Sequence, residues 1–201
     1  MRTSEEATPY LTIELDGDHD FQKVGIGDLN GDGRLDYVIK QPDFNVDPSI
    51  LGSWKPSREP YKLEAYDHDG TFLWRHDLGW AIEEGVWYSP YTVYDLDGDG
   101  KAEVALKGSD GKDHRNENQR VRTGPEYLTI LDGEAGRLKA RTDWPSREGY
   151  LNYPQEAYGD SSRNQMAVAY LDGKTPCLVL LRGTYGLMKV VAYQLLSLIH
   201  I

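Results

Sequence analysis

The chain has 201 residues, of which 22 are Lys or Arg and 33 are Asp or Glu, so its formal net charge is −11. This acidic balance argues against a general nucleic-acid-binding protein, and no apolar run is long enough to span a membrane. Hydrophobic residues make up 39% of the chain and include 14 Tyr and 5 Trp, so a folded core is expected rather than disorder.

The chain begins with MRTSEEATPYLTIEL, which lacks the apolar segment of a signal peptide. The first predicted strand, KVGIG, leads into an acidic loop. Oxygen-bearing side chains occupy this loop at Asp28, Asn30, Asp32 and Asp36, and the carbonyl of Arg34 adds another oxygen. Calcium prefers six to eight oxygen ligands, so we predict a calcium ion here. The alternative is a polar loop without an ion, in which the acids would repel one another.

A long loop then leads to YKLEAY, whose alternating pattern is typical of a half-exposed strand. A tight turn at His68-Asp69-Gly70 leads to a fourth strand, and we interpret the turn aspartates as structural. The four-strand unit recurs from YTVYDLDGDGKAEVALK onward. It predicts a second calcium loop formed by Asp95, Asp97, Asp99, the carbonyl of Lys101, and Glu103.

The third unit begins at MAVAYLDGKTPCLVLLR. Its loop has Tyr170, Lys174 and Leu178 where the first two loops have ligands, so we predict no ion there. Cys177 is the only cysteine, which excludes an internal disulfide, and its apolar neighbours predict a buried side chain. After Tyr193 the chain reads QLLSLIHI without a turn residue, and we interpret residues 194–201 as a non-native tail.

Repeated units of four antiparallel strands are typical of β-propeller blades. We therefore predict an all-β fold, with a partial β-propeller in residues 1–193 and blades at about 20–77, 88–141 and 165–193, the last incomplete. Closed propellers need at least four blades. We accordingly expect a truncated part of a longer propeller that is inactive by itself.

In each unit, the loops after the second and fourth strands emerge at the end opposite the acidic loops, and they are long. Long loops on a rigid scaffold commonly carry function. Lys40, Lys107 and Arg182 each end a second strand, and we predict that they converge as catalytic cations. Trp87 and Tyr88 are suited to stacking on sugar faces. The many cations of these loops suggest an anionic ligand, although any one of them alone could be a solvated surface charge.

Four segments in order resemble polysaccharide lyase family 11, the rhamnogalacturonan lyases. They are FQKVGIGDLNGDGRLDYVIKQPDFN, VYDLDGDGKAEVALK, RTGPEYLTILDGEAGR and MAVAYLDGKTPCLVLLRGTY. The similarity runs from Tyr10 to Tyr193, and we place it in the N-terminal part of the family's propeller. It implies an eight-bladed propeller with calcium in its blades, which supports the ligands of the first loop, and cleavage of the rhamnose–galacturonate backbone of pectin by β-elimination.

The resemblance also implies where substrate binds. By alignment, Gln22 and Asp43 fall where the family meets its substrate. We add Asn45, Arg163 and Tyr185, which lie on the long loops, as further candidate substrate contacts. The implied partner is the pectic polysaccharide rhamnogalacturonan I, the implied location is extracellular or periplasmic, and the full-length protein is expected to be a monomer.

β-Elimination removes the C5 proton beside the galacturonate carboxylate and expels the C4 substituent. The carboxylate must be neutralised by Ca²⁺, Arg or Lys before that proton becomes acidic enough. The base needs a lowered pKa, as in a crowded Lys or a His, and His114 is a further candidate.

Two alternatives remain open at this point. A glycoside hydrolase would use a pair of carboxylates at a set separation, which the many acids of the sequence do not exclude. A non-catalytic, integrin-like (FG-GAP) propeller would carry similar calcium loops and act in adhesion or carbohydrate binding, without needing a basic and aromatic surface on the other side.

Overall fold

A computed structural model describes residues 8–15, 21–41, 57, 59–83, 85–150 and 161–195 of the chain. The first sheet contains β1 (Lys23–Gly27), β2 (Asp36–Gln41), β3 (Lys62–Tyr66) and β4 (Phe72–Asp77). The second contains β5 (Tyr91–Tyr94), β6 (Glu103–Gly108), β7 (Tyr127–Leu131) and β8 (Leu138–Asp143), and the third contains β9 (Asn164–Ala169), β10 (Cys177–Arg182) and β11 (Lys189–Tyr193). A short 3₁₀ helix covers Gly79–Ala81. Within these ranges no helix could cross a membrane.

Each sheet is an antiparallel meander in chain order. The all-β prediction is confirmed, but the β-propeller prediction is wrong. The described residues form three separate sheets, and none of them closes into a barrel or a propeller. The repeat in the sequence determines how strands pair within one sheet. Closure depends on the number of sheets and the angle between their faces, which the repeat does not encode.

The burial of each strand follows its place in the sheet. The second strands, DYVIKQ and EVALKG, are covered on both faces, and every residue of β6 is buried. The fourth strands, β4 and β8, bury only their third residue and expose three residues each, because each is the last strand of its sheet. Burial of nearly every residue therefore marks the second strands, and partial exposure marks these edge strands.

Apolar side chains between successive sheets form the core. One cluster includes Leu29, Val38 and Leu63 from the first sheet region and Val104 and Leu106 from the second. Another joins the second sheet to the third and includes Leu128, Ile130, Leu178 and Leu180. Cys177 is buried, as its neighbours predict.

Two glycines of β1 allow the first two sheets to approach closely. A Cβ atom at Gly25 would lie 2.7 Å from Val93 Cγ2, and one at Gly27 would lie 2.6 Å from Val93 Cγ1. Strand glycines often mark such a close approach. The contact brings β1 next to β5, and it places the acidic loops side by side, where the amide of Ala102 donates to the carbonyl of Asp28 at 2.6 Å.

Candidate functional site

The first acidic loop, residues 28–36, is organised by its own side chains. The carboxylate of Asp28 accepts hydrogen bonds from the amides of Gly31 at 2.7 Å and Gly33 at 2.8 Å. Asn30 Oδ1 accepts from the amide of Asp32 at 2.9 Å. These bonds form because Asp and Asn side chains readily accept from amides two to five residues further along a turn. The conformation of the first loop is therefore held by hydrogen bonds among its own residues.

The far end of this loop meets the β3–β4 turn. Asp36 is fully buried, and its carboxylate accepts from the amides of Leu29 at 2.8 Å and His68 at 2.9 Å. Burial raises the pKa of Asp36. Potential ligand atoms of Asp32, Asp67 and His68 lie within 4.8 Å of one another. Asp67 and His68 were not predicted as members of this cluster because the turn was interpreted as structural, although it lies at the same end of the sheet.

The second acidic loop, residues 95–103, brings Asp95, Asp97 and Asp99 together, with carboxylate oxygens within 4.8 Å of one another. Asp95 accepts from the amides of Gly98 at 2.7 Å and Gly100 at 3.0 Å, which repeats the arrangement of the first loop. Lys101, whose backbone carbonyl is a predicted calcium ligand, forms an ion pair with Glu134 through its side chain at 2.5 Å. Three convergent carboxylates of this kind fit a hard cation.

One cation already contacts the second loop. Lys139 Nζ, from β8, lies 2.7 Å from Asp97 Oδ2 and 2.5 Å from Glu103 Oε1. Burial by itself would lower the pKa of Lys139, but the hydrogen bonds to Asp97 and Glu103 raise it above its ordinary value. Burial keeps the pKa of Glu103 above its ordinary value even beside that ammonium group. Lys139 was missed in the sequence because it lies more than thirty positions away from the loop.

The third loop has a different arrangement. Asp172 Oδ1 accepts from the amides of Lys174 at 2.9 Å and Thr175 at 2.7 Å, and Asp172 Oδ2 accepts from the hydroxyl of Thr175 at 2.8 Å. Asp172 is the single carboxylate of this loop, which is closed by hydrogen bonds to its own residues.

At the opposite end of the sheets, the predicted cations Lys107 and Arg182 converge on one carboxylate. Glu126 lies 2.6 Å from Lys107 Nζ, 2.7 Å from Arg182 Nη1 and 2.7 Å from Arg147 Nη2. Burial would raise the pKa of Glu126, but the three positive charges outweigh it and hold the pKa at about 2. Burial lowers the pKa of Lys107 to about 8, although the charge of Glu126 opposes this shift.

The third predicted cation, Lys40, is also buried. Its ammonium group donates to Ser89 O at 2.6 Å and Ser89 Oγ at 2.5 Å, and it lies 4.6 Å from the centre of the Tyr61 ring. Burial lowers its pKa well below the ordinary value, and the charges of Lys23 and Lys107 add to the effect. Gln22, a predicted substrate contact, is buried beside it and donates to the hydroxyl of Tyr61 at 2.9 Å.

The segment 87–90 connects these groups. Tyr88 O accepts from Lys107 Nζ at 3.2 Å and from Asn164 Nδ2 at 3.1 Å, while Ser89 accepts from Lys40. The structure therefore brings Lys40, Lys107 and Arg182 into one buried polar region. Tyr88, predicted to stack on sugar, is fully buried, so its ring is not available at the surface.

Beside this region lies a pocket of about 350 Å³ that opens to solvent and is formed by the third sheet and the segment before β5. Trp87 and Arg163, both predicted substrate contacts, line it together with Asn164, Gln165, Leu181, Gly183, Thr184 and Met188. Trp87 is 45% exposed. The guanidinium of Arg163 lies 5.1 Å from the centre of the Tyr185 ring and donates to its hydroxyl at 3.1 Å.

The backbone presents Tyr185 to solvent. Its φ of 58° lies in the left-handed region, which non-glycine residues seldom adopt, and its side chain is 79% exposed. Strained residues of this kind are concentrated at ligand-binding sites. Trp87 and Arg163 thus line one pocket, and the exposed Tyr185 lies against Arg163. This combination is suited to an acidic sugar, because aromatic rings stack on its faces and the guanidinium pairs with its carboxylate.

The remaining predicted residues lie away from this pocket or outside the residues that the structure describes. Asp43 and Asn45 fall outside the described residues, as do residues 196–201 of the predicted tail. Leu195, near the start of that tail, is buried in the cluster between the second and third sheets. His114 Nε2 lies 2.8 Å from Asp110 Oδ1.

Comparisons with known proteins agree with the resemblance seen in the sequence. Residues 16–197 match the family described as "Rhamnogalacturonan lyase family 11, C-terminal domain". The chain is 39% identical over 185 residues to rhamnogalacturonan exolyase YesX of Bacillus subtilis (strain 168), with 85% of this chain and 30% of that protein covered. It is 36% identical over 218 residues to rhamnogalacturonan endolyase YesW of the same organism, with 94% and 34% covered.

Solved structures give the same result. The rhamnogalacturonan lyase PL11 of Bacillus licheniformis superposes with a TM-score of 0.77 at 35% identity, with 88% of this chain and 32% of that chain covered. The exotype lyase YesX superposes with a TM-score of 0.78 at 36% identity, with 94% and 33% covered. The chain thus spans about a third of the length of these relatives.

The matched region corrects one prediction. We placed the similarity in the N-terminal part of the family's propeller, but the family description that matches is that of the C-terminal domain. The motifs were recognised correctly, and the error arose in assigning them to a part of the longer protein. Because this match covers more than half of the sequence, the chain belongs to rhamnogalacturonan lyase family 11.

Proposed function

We propose that this chain is part of a rhamnogalacturonan lyase and that its contribution is to bind an acidic sugar of the polymer in the pocket lined by Trp87 and Arg163, with Tyr185 beside Arg163. The observation that carries the proposal is this pocket in a member of a lyase family, because the exposed ring of Trp87, the guanidinium of Arg163 and the adjacent ring of Tyr185 match the faces and the carboxylate of a galacturonate unit.

The expected reaction is β-elimination. A base removes the C5 proton of galacturonate, the electron pair forms the C4–C5 double bond, and the C4–O bond breaks with the electrons leaving on the oxygen. Arg163 would lower the cost of the charge that develops on the carboxylate in the transition state, because its guanidinium can form two parallel hydrogen bonds to a carboxylate. A 4,5-unsaturated uronate would therefore form at the new end of the chain.

The catalytic role of Lys40, Lys107 and Arg182 stays a prediction. Burial favours a base of lowered pKa, which suits Lys40 and Lys107. However, the ends of all three side chains are covered by protein in the described arrangement, so a polymer would reach them only after a local rearrangement. Their contacts with Ser89 and Glu126 are sufficient to explain why buried cations are tolerated here.

The test combines binding with chemistry. The purified protein is titrated with rhamnogalacturonan oligosaccharides and then incubated with the polymer, while ultraviolet absorbance of the unsaturated product and new reducing ends are measured. We expect Trp87→Ala and Arg163→Ala each to weaken binding by about tenfold, since one stacking or charged contact is worth about 1–3 kcal/mol. Phe72→Ala is the control for an aromatic of similar exposure, and Arg115→Ala is the control for an arginine stacked on a ring.

The outcomes separate the candidate functions. Unsaturated product supports a lyase, whereas reducing ends without ultraviolet absorbance would indicate a hydrolase. Binding without cleavage by this chain supports its role in sugar binding, because the chain spans about a third of the length of its relatives. Binding without cleavage by the full-length protein would favour the carbohydrate-binding alternative. Unchanged binding in both pocket variants would contradict the proposed site.

We also propose that the two acidic loops bind Ca²⁺ as a structural ion. The convergence of Asp95, Asp97 and Asp99 supports a site in the second loop, and the cluster of Asp32, Asp67 and His68 supports one that includes the β3–β4 turn in the first. When bound, the ion would neutralise carboxylates that otherwise repel one another. Isothermal titration with Ca²⁺ tests this proposal, and Asp32→Ala and Asp99→Ala should each remove one site.

A further inference from the structure

The two acidic loops differ in one contact that crosses the sheet. In the second loop, Asp97 and Glu103 occupy the third and ninth positions, both proposed as calcium ligands. Lys139 Nζ lies 2.7 Å from the first and 2.5 Å from the second. The same ammonium group thus engages two of the proposed ligand side chains at once, from β8 rather than from the loop itself.

In the first sheet, the position that corresponds to Lys139 carries no charge. Leu73 of β4 corresponds to Lys139 of β8, because both occupy the point where the pairing of the third and fourth strands shifts, next to Tyr66 in one sheet and Leu131 in the other. Leu73 packs against the apolar core. Among the described residues, the cation nearest in sequence to the first loop's carboxylates is Arg34, which is exposed and bonds to Asp32 at 2.9 Å.

We propose that Lys139 is a built-in counter-cation of the second loop, which keeps that loop ordered without an ion and makes its calcium affinity lower than that of the first loop. This inference rests on the proposed calcium binding and deepens it. It assigns the two loops different ways of offsetting their charge: the first would rely on Ca²⁺ beyond the contact of Arg34 with Asp32, and the second on a lysine from β8.

The physical reason is competition for the same oxygens. A calcium ion at the second loop must either displace the ammonium group from Asp97 and Glu103 or share them with a like charge a few ångströms away, and both are unfavourable. The side chain of Lys139 is only 24% exposed, so salt screens the repulsion less than it would at the open surface. At the first loop, Leu73 offers no such competition, and the loop's own Arg34 bonds to the single carboxylate of Asp32 from an exposed position.

The decisive experiment isolates each loop in the full chain. In an Asp32→Ala background, only the calcium site of the second loop remains. Lys139→Met should then raise the calcium affinity of that site about tenfold in isothermal titration, because a nearby positive charge is lost. Lys189→Met is the matched control, because Lys189 donates to the carbonyls of Ser146 and Glu148 and lies outside the second loop.

The reciprocal change tests the same idea in the other direction. In an Asp99→Ala background, Leu73→Lys should weaken calcium binding at the first loop, with Leu73→Met as the control for altered packing. In the presence of a chelator, Lys139→Met should lower the melting temperature, because Asp97 and Glu103 then lose their counter-charge. Circular dichroism checks that each variant is folded.

The outcomes are distinct. Tighter binding in Lys139→Met together with a lower melting temperature in chelator supports the proposal. Unchanged or weaker binding in Lys139→Met overturns it while leaving the calcium proposal intact. Absence of calcium binding in the unsubstituted chain overturns both, and lyase activity is measured independently of either.

Discussion

Replacing Glu126 by Gln tests whether the buried cations depend on a single carboxylate. The variant keeps the shape of the side chain but leaves Lys107, Arg147 and Arg182 facing a neutral amide. The pKa of Glu126 falls from an ordinary value of 4.5 to about 2, which corresponds to about 3 kcal/mol of preference for the charged form. Removing one member of a buried ion pair costs a similar amount, about 3–5 kcal/mol.

Urea unfolding of the two proteins at neutral pH measures this difference. We expect Glu126→Gln to lower the free energy of unfolding by about 3 kcal/mol, equivalent to roughly 6–12 °C in melting temperature for a chain of this size. Glu134→Gln is the matched control, because Glu134 pairs with Lys101 at the surface and such pairs contribute about 0–1 kcal/mol.

The dependence on pH gives a second measurement. Because the pKa of Glu126 is lower in the folded state, its contribution is fully present above the unfolded value of 4.5 and is lost as pH falls towards about 2. The unsubstituted chain should lose stability across that window more steeply than Glu126→Gln. A loss below about 1 kcal/mol at neutral pH, with parallel pH profiles, would refute the assignment of Glu126 as the common partner of these cations.

Three further predictions concern the contact of Gly27 with Val93, calcium binding and the buried Lys40. Gly27→Ala should destabilise the protein by about 1–3 kcal/mol in urea unfolding, because its Cβ would meet Val93 at 2.6 Å, whereas Gly98→Ala, with open space around it but a φ of 80°, reports backbone strain alone. Calcium should raise the melting temperature in scanning calorimetry and a chelator should reverse the rise; no response would contradict calcium binding. A buried lysine of lowered pKa makes the free energy of unfolding rise with pH up to 10.5, the ordinary pKa of lysine. Lys40→Met should therefore reduce this rise, and an unchanged pH profile would argue against a lowered pKa.

The sequence by itself determined the features that depend on residues close together in the chain. The strands, the acidic loops and the burial of Cys177 were predictable because alternation, continuous apolar runs and Asp–Gly spacing act over fewer than ten residues. The four family motifs were sufficient to recognise the family. Trp87 and Arg163, predicted as substrate contacts from their positions on long loops, both line the pocket.

Other features required the tertiary structure. Adjacent residues Trp87 and Tyr88 had the same prediction, yet only the first reaches the surface, because the segment between sheets turns the second into the interior. Glu126 was not singled out from the acidic residues of the sequence. Its importance depends on three cations that reach it from β6, from β10 and from the chain after β8.

In the acidic loops and in the arrangement of the sheets, too, the sequence determined the local features and the tertiary structure determined the distant contacts. The loop sequence determined how each carboxylate folds onto nearby amides, but only packing brought Asp67 to the first loop and Lys139 to the second. Likewise, the repeat determined strand pairing, and it did not determine whether the sheets close. Burial and charge compensation depend on which faces of distant strands meet, and that is set by the shapes of side chains such as Val93 against Gly25 and Gly27, which no local pattern contains.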